Sequence, residues 1–155
     1  MIPIDPSWIR YINASISKHF KTLLTPTLFL YIEGQPRETI GQQNYVELRF
    51  HGPHCNRLSP TTFKLYVTIN CLIVSIKDSQ TNVYNHDDHI GLVLSAFTNA
   101  ITIFKYGGDQ TELGCMKLAP DVTKDIIEIS RYGQTVPSMQ LQEATIEASY
   151  EMLIS

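Results

Sequence analysis

Charge is scarce in this chain. Asp, Glu, Lys and Arg make up only 17% of its 155 residues, against roughly 25% in an average soluble domain. The basic residues are scattered and the formal net charge is −3. No basic track is therefore available to neutralise a line of phosphates, and binding to free nucleic acid is not expected. Cysteine is sparse too. Cys55, Cys71 and Cys115 are an odd number, lie far apart and lack CxxC spacing, which excludes an encoded disulfide framework and suits reduced thiols. No apolar run approaches the ~18 residues of a membrane span, and "MIPIDPSW" is not a basic segment followed by an apolar one. Together these absences predict synthesis in the cytoplasm and no membrane partner.

Apolar residues reach 43%, and neutral Thr, Ser, Asn and Gln fill the place of the missing charge. At this length an ordinary single core is feasible without disulfide or metal staples. One domain, residues 1–155, is expected.

Hydrophobic periodicity then orders the chain. In "IDPSWIRYINASISKHFKTLL", Asp5 is placed to cap a helix with Pro6 at its first position. Trp8, Ile12, Ile16 and Phe20 follow at intervals of four, flanked by Ile9, Leu23 and Leu24, and Thr25-Pro26 stops the run. "TLFLYIE" and "NYVELRFHG" read as strands around a Gly- and Pro-bearing loop. The second sets Val46, Leu48 and Phe50 against Glu47, Arg49 and His51. "TTFKLYVTINCLIVSIKD" alternates through Phe63, Leu65, Val67 and Ile69, then changes period beyond Asn70, which predicts either a bulge or burial of both faces. A second helix is expected over about 87–99, with Ile90, Val93, Leu94 and Phe97 on one face. Strands "ITIFKYGG", "CMKLA" and "TKDIIEIS", a loop "RYGQTVPSMQ" and a final strand "EATIEASYEMLI" complete the chain. In that last strand Ile146, Tyr150 and Met152 should face the core, with Thr145, Glu147 and Ser149 outward. The order α-β-β-β-α-β-β-β-β predicts a single α+β domain, two α-helices packed on a mixed, largely antiparallel β-sheet.

Two clusters invite a metal reading: "HGPHCN", with His51, His54 and Cys55, and "YNHDDHIG", with His86, Asp87, Asp88 and His89. A zincin helix needs His at i and i+4 with Glu between them and a third ligand, and His86 and His89 are three apart. Capping chemistry accounts for the second cluster. Asn85 or Asp87 can cap the helix, and the Asp pair suits its positive end. The first follows a strand and carries Gly-Pro, so it is read as a loop. Joining the two would give four ligands for a small metal-dependent hydrolase, but nothing in the sequence brings them together. Nucleophile elbow, phosphate-cradling loop and dinucleotide fingerprint are all missing. No catalytic, cofactor-binding or metal residue is expected, and Cys71 and Cys115 are read as small strand hydrophobes.

The succession "NYVELRFHGP", "VTINCLIVS", "YNHDDHIG", "ITIFKYG", "LGCMKL" and "YGQTVPSMQLQEATIEASYEML" resembles the neck or tail terminator proteins of tailed bacteriophages over roughly residues 25–153. "ELRFHGP" and the closing "YGQTVP…ATIEASYEM" are its most specific parts. The resemblance implies a non-enzymatic virion subunit at the head–tail junction, assembled with its own copies into a ring, a hexamer by preference. Such a ring caps the tail tube protein, meets the head–tail connector or adaptor proteins, and lets DNA pass only through its lumen. An adaptor or stopper ring of the neck is the nearest alternative. Low charge and eight tyrosines are compatible with a chain that buries interfaces.

Overall fold

Period four in the first segment becomes a helix, α1 (Trp8–Leu24), whose Trp8, Tyr11, Ile12, Ser15, Ile16, Phe20 and Leu24 are buried. The computed structural model describes residues 6–34, 44–76, 84–106, 110–119, 127–136 and 141–154. Asp5 lies outside them, and α1 opens after Ser7 without a side-chain cap, so Pro6 precedes the helix and does not begin it. Thr25 leaves the helical conformation as its proline neighbour demands. Leu24 joins the core, but Ile9 and Leu23 are exposed, because a stripe read every four residues drifts off the buried face at its flanks.

Seven strands follow around the second helix: β1 (Phe29–Ile32), β2 (Tyr45–Arg57), β3 (Phe63–Ile76), α2 (Asn85–Ala96), β4 (Ala100–Lys105), β5 (Thr111–Leu118), β6 (Ile127–Val136) and β7 (Leu141–Ile154). They form one sheet in the order β1-β2-β3-β7-β5-β4, with β6 also paired to β7. Only β1 and β2 run parallel among these pairs, so the expected mixed, largely antiparallel sheet with two helices on it is what the chain adopts. β7 is the central strand. It runs against β3 from Ile154 to Leu141 without a register break, and its other edge serves β6 at one end and β5 at the other.

One face of the sheet, under the helices, carries the core: Val46 and Leu48 of β2, Leu65, Val67, Ile69, Cys71 and Ile73 of β3, and Ala144, Ile146, Ala148, Tyr150 and Met152 of β7. The outward set Thr145, Glu147 and Ser149 is half-buried on the opposite face, as the alternation of this strand requires. Tyr150 is wholly buried, and its hydroxyl donates to the Thr98 carbonyl at 2.6 Å, tying the central strand to the α2–β4 connection.

Two expectations need correction, and one choice is resolved. Of the two readings of the period change in β3, burial of both faces is the one adopted: Ile73, Val74 and Ser75 are buried in succession while the register to β7 is unbroken. The bulge is in β2. From His51 to His54 is three steps, against two from Thr68 to Tyr66 opposite, so β2 carries one extra residue. It sits at Gly52, whose φ of +99° and 2.8 Å approach of an added Cβ to the His54 nitrogen exclude any side chain. "HGPHCN" is therefore strand, not loop, because pairing to β3 resumes beyond the bulge. The stretch from Arg131 to Val136 likewise belongs to β6, since β7 offers an edge long enough to hold it.

Candidate functional site

Strand alternation puts Ser75 on the helix-facing side of β3, two residues after Ile73 and at the end of the core row. Above it lies the first turn of α2. His86, His89, Ile90, Val93 and Ala96 form the buried stripe of that helix, so the apolar period continues one turn further toward the N-terminus than Ile90, and the two histidines occupy core positions. They meet at one oxygen: His86 Nδ1 is 2.9 Å and His89 Nδ1 2.7 Å from Ser75 Oγ. This overturns the capping assignment. The helix starts at Asn85 after Tyr84, with no side-chain cap bond, and ends at Ala96, not near 99. Asp87 and Asp88 still occupy its first turn, where carboxylates favour the positive end of the dipole.

A single hydroxyl proton dictates the protonation pattern. Ser75 can donate to one Nδ1 and must accept from the other, so two neutral rings of opposite tautomer satisfy the set. His86 Nε2 is sealed from solvent without a hydrogen-bond partner among the described residues. Burial lowers the pKa of both rings. For His86 the Arg131 and His89 charges lower it further, against Asp87 and the Glu143 backbone, and for His89 only Asp88 opposes. Outside the node, Arg131 of β6 forms an ion pair with Asp87 and clamps the helix start to the sheet.

Chemically, an imidazole on a serine hydroxyl is the arrangement that activates a nucleophile. Here Ser75 is completely buried, and its hydroxyl is shared between the two rings. The cluster joins α2 to β3 as a polar fastening within the core. Ser75 was missed in the sequence, although a lone hydroxyl inside "CLIVSI", in phase with Cys71 and Ile73, is the signal that a polar partner must lie above it.

The other cluster sits elsewhere. His51, His54 and Cys55 are exposed on the outer part of the β2–β3 hairpin. His51 pairs with Thr68, and the seven positions from Thr68 to Ser75 span roughly 23 Å. The two histidine pairs are not brought together, and among the described residues no group of three or more His, Cys, Asp or Glu is arranged to hold a metal ion. Cys71 is buried, and burial pushes its thiol pKa up; Cys115 is half-buried. A groove of about 480 Å³ between α1 and β4 is lined by Ser15, Lys18, His19, Thr98, Thr102 and Phe104, and three of its polar side chains bond the fold: His19 Nε2 donates to the Ala96 carbonyl, Thr98 to the Ala100 carbonyl, and Ser15 accepts the Phe104 amide.

The opposite face of the sheet is half-buried, and polar cross-strand pairs organise its middle. Thr68 meets Ser149 at 3.0 Å, Asn70 donates to Glu147 at 3.2 Å, and Lys64 pairs with Glu151 at 3.0 Å. Among the described residues no helix is long and apolar enough to cross a membrane.

No family model matches the chain, and no curated protein does. Among solved structures, one whose name carries no functional description is similar at a TM-score of 0.53 and 12% identity, over 96% of this chain and 95% of that one. At that identity the likeness concerns the fold: the same arrangement of helices and strands across nearly the full length of both chains.

Proposed function

We propose that the protein is a structural subunit of a phage virion, placed at the head–tail junction, where copies of it form a ring that caps the tail tube and meets the head connector. The carrying observation is the polar pairing on the outer face of the sheet, continued beyond the β2 bulge into a strand whose residues from His51 to Leu58 are nearly all exposed. Such a subunit offers neighbours both a polar sheet face and an exposed strand. The segments most similar to tail terminators support the reading by their location, since "ELRFHGP" occupies the bulge of β2 and "ATIEASYEM" the central strand β7. Exposed Phe29 on β1 and Ile129 and Tyr132 on β6 add apolar surface along two sheet edges, positions at which ring subunits meet.

Imaging of intact particles with the protein labelled, combined with native mass measurement of the free assembly, tests this. A ring at the head–tail junction, six-membered by preference, is the expected result. Twelve copies would move the protein to the adaptor or stopper class of the neck. A place in the capsid shell or fibres, or absence from the particle, would overturn the reading.

A further inference from the structure

We propose that the groove between α1 and the outer edge of β4 binds an extended, acidic segment of a partner protein, which adds to the sheet as a further strand. The site is independent of the ring reading above and uses none of the surfaces named for it.

β4 ends the sheet, so among the described residues no strand meets its outer edge. Alternation fixes which backbone groups point there. Just before β4 the Asn99 carbonyl accepts the Leu118 amide of β5, so odd positions address β5 and even positions address the groove. Two contacts agree. The Phe104 amide donates to Ser15 Oγ of α1 at 2.9 Å, and the Ala100 carbonyl accepts from the Thr98 hydroxyl at 2.8 Å. These two hydroxyls occupy the ends of the edge and leave its middle: the amide and carbonyl of Thr102, the amide of Ala100 and the carbonyl of Phe104. An antiparallel strand meets all four, exchanging both bonds at Thr102 and making one at each flank. From Ala100 to Phe104 is roughly 13 Å, room for an extended segment of about five residues. The groove volume of about 480 Å³ is that of a binding cleft.

Charge specifies the occupant. Helix α1 carries Arg10, Lys18 and Lys21 and no Asp or Glu, and β4 carries Lys105 and no Asp or Glu, in a chain whose net charge is −3. Lys18 is exposed and lines the groove, its Nζ 5.9 Å from the Phe104 ring centre. It has no carboxylate partner among the described residues. Glu112 stands across from Phe104 on β5, on the side of β4 away from α1. A carboxylate in the groove would therefore meet an unpaired ammonium above an aromatic floor, while Leu23, 45% exposed, offers apolar contact along the same wall. A basic segment would meet like charge there, which selects against it.

Fluorescence anisotropy on the intact chain tests this with a labelled seven-residue peptide of alternating threonine and valine, with a glutamate at each end. It should bind saturably. The same peptide ending in lysines should bind roughly tenfold more weakly or worse, and so should the glutamate form N-methylated throughout, which has no amide to donate. Lys18→Glu changes an exposed side chain, so it should keep the wild-type unfolding midpoint and reverse the preference between the two charged peptides. Thr102→Pro removes an outward amide at a place where an edge strand tolerates proline, and it should weaken binding of the glutamate peptide. One readout needs no variant: the Thr102 and Ala100 amides should exchange hydrogen freely in the free chain and become protected by the glutamate peptide. Equal binding of the acidic and basic peptides, no saturable binding, or binding that leaves Thr102 exchange unchanged would overturn the proposal. Thr102 protected in the free chain and released only on dilution would give the edge to a second copy, and would overturn it equally.

Discussion

Mild acid should weaken this fold through the Ser75–His86–His89 node. In the unfolded chain both imidazoles take up protons around the ordinary value of 6.5, whereas in the folded chain burial holds both below it. Below pH 6.5 the unfolded state therefore binds more protons, and stability falls as pH drops until the folded values are passed. Each ring contributes a slope of up to about 1.4 kcal/mol per pH unit, and the two together up to ~2.7, against a total of ~5–15 kcal/mol for a domain. Charges facing the node divide: Arg131 opposes protonation of His86, Asp87 and the Glu143 backbone favour it, and Asp88 favours that of His89. Urea unfolding at constant ionic strength between pH 7 and pH 5 measures the slope. The control is the triple variant Ser75→Val, His86→Leu, His89→Leu, which replaces the whole polar set with apolar side chains and strands no partner. Exposed His51 and His54 are common to both proteins and cancel. Wild type should lose stability more steeply than the triple variant as pH falls. Equal slopes would refute the argument that the two rings are held neutral by burial at one hydroxyl.

Ile146→Ala should destabilise by roughly 2–5 kcal/mol, because the side chain is wholly buried in the central strand; Glu147→Ala, one residue on and outward, should leave chemical denaturation of the monomer nearly unchanged, and reversed effects would invert the facing of β7. Gly52→Ala should lower the unfolding midpoint by the equivalent of about 1–3 kcal/mol, since it forces a left-handed residue against the His54 backbone, and should disturb amide protection in the hairpin before that in β7. Tyr150→Phe should cost about 1–3 kcal/mol in thermal unfolding, by removing the donor to the Thr98 carbonyl without opening a cavity.

Alternation and period four, with proline and glycine as punctuation, were enough to place the elements in their order, the buried row of β7 and the inward set of α1. These depend on one residue's relation to its near neighbours, which sequence displays directly. Tertiary structure decided what depends on residues far apart. Gly52-Pro53 reads as a turn until β3 supplies the partner that makes β2 continue through a bulge. His86 and His89 read as cap decoration until the helix docks, because the one hydroxyl that satisfies both lies eleven and fourteen positions upstream on a different element. The two histidine clusters, so close to a metal set on paper, are held apart by the length of β3. A backbone pattern is local and survives in the sequence, but a site is a coincidence in space, and only the closed sheet fixes which side chains arrive there together.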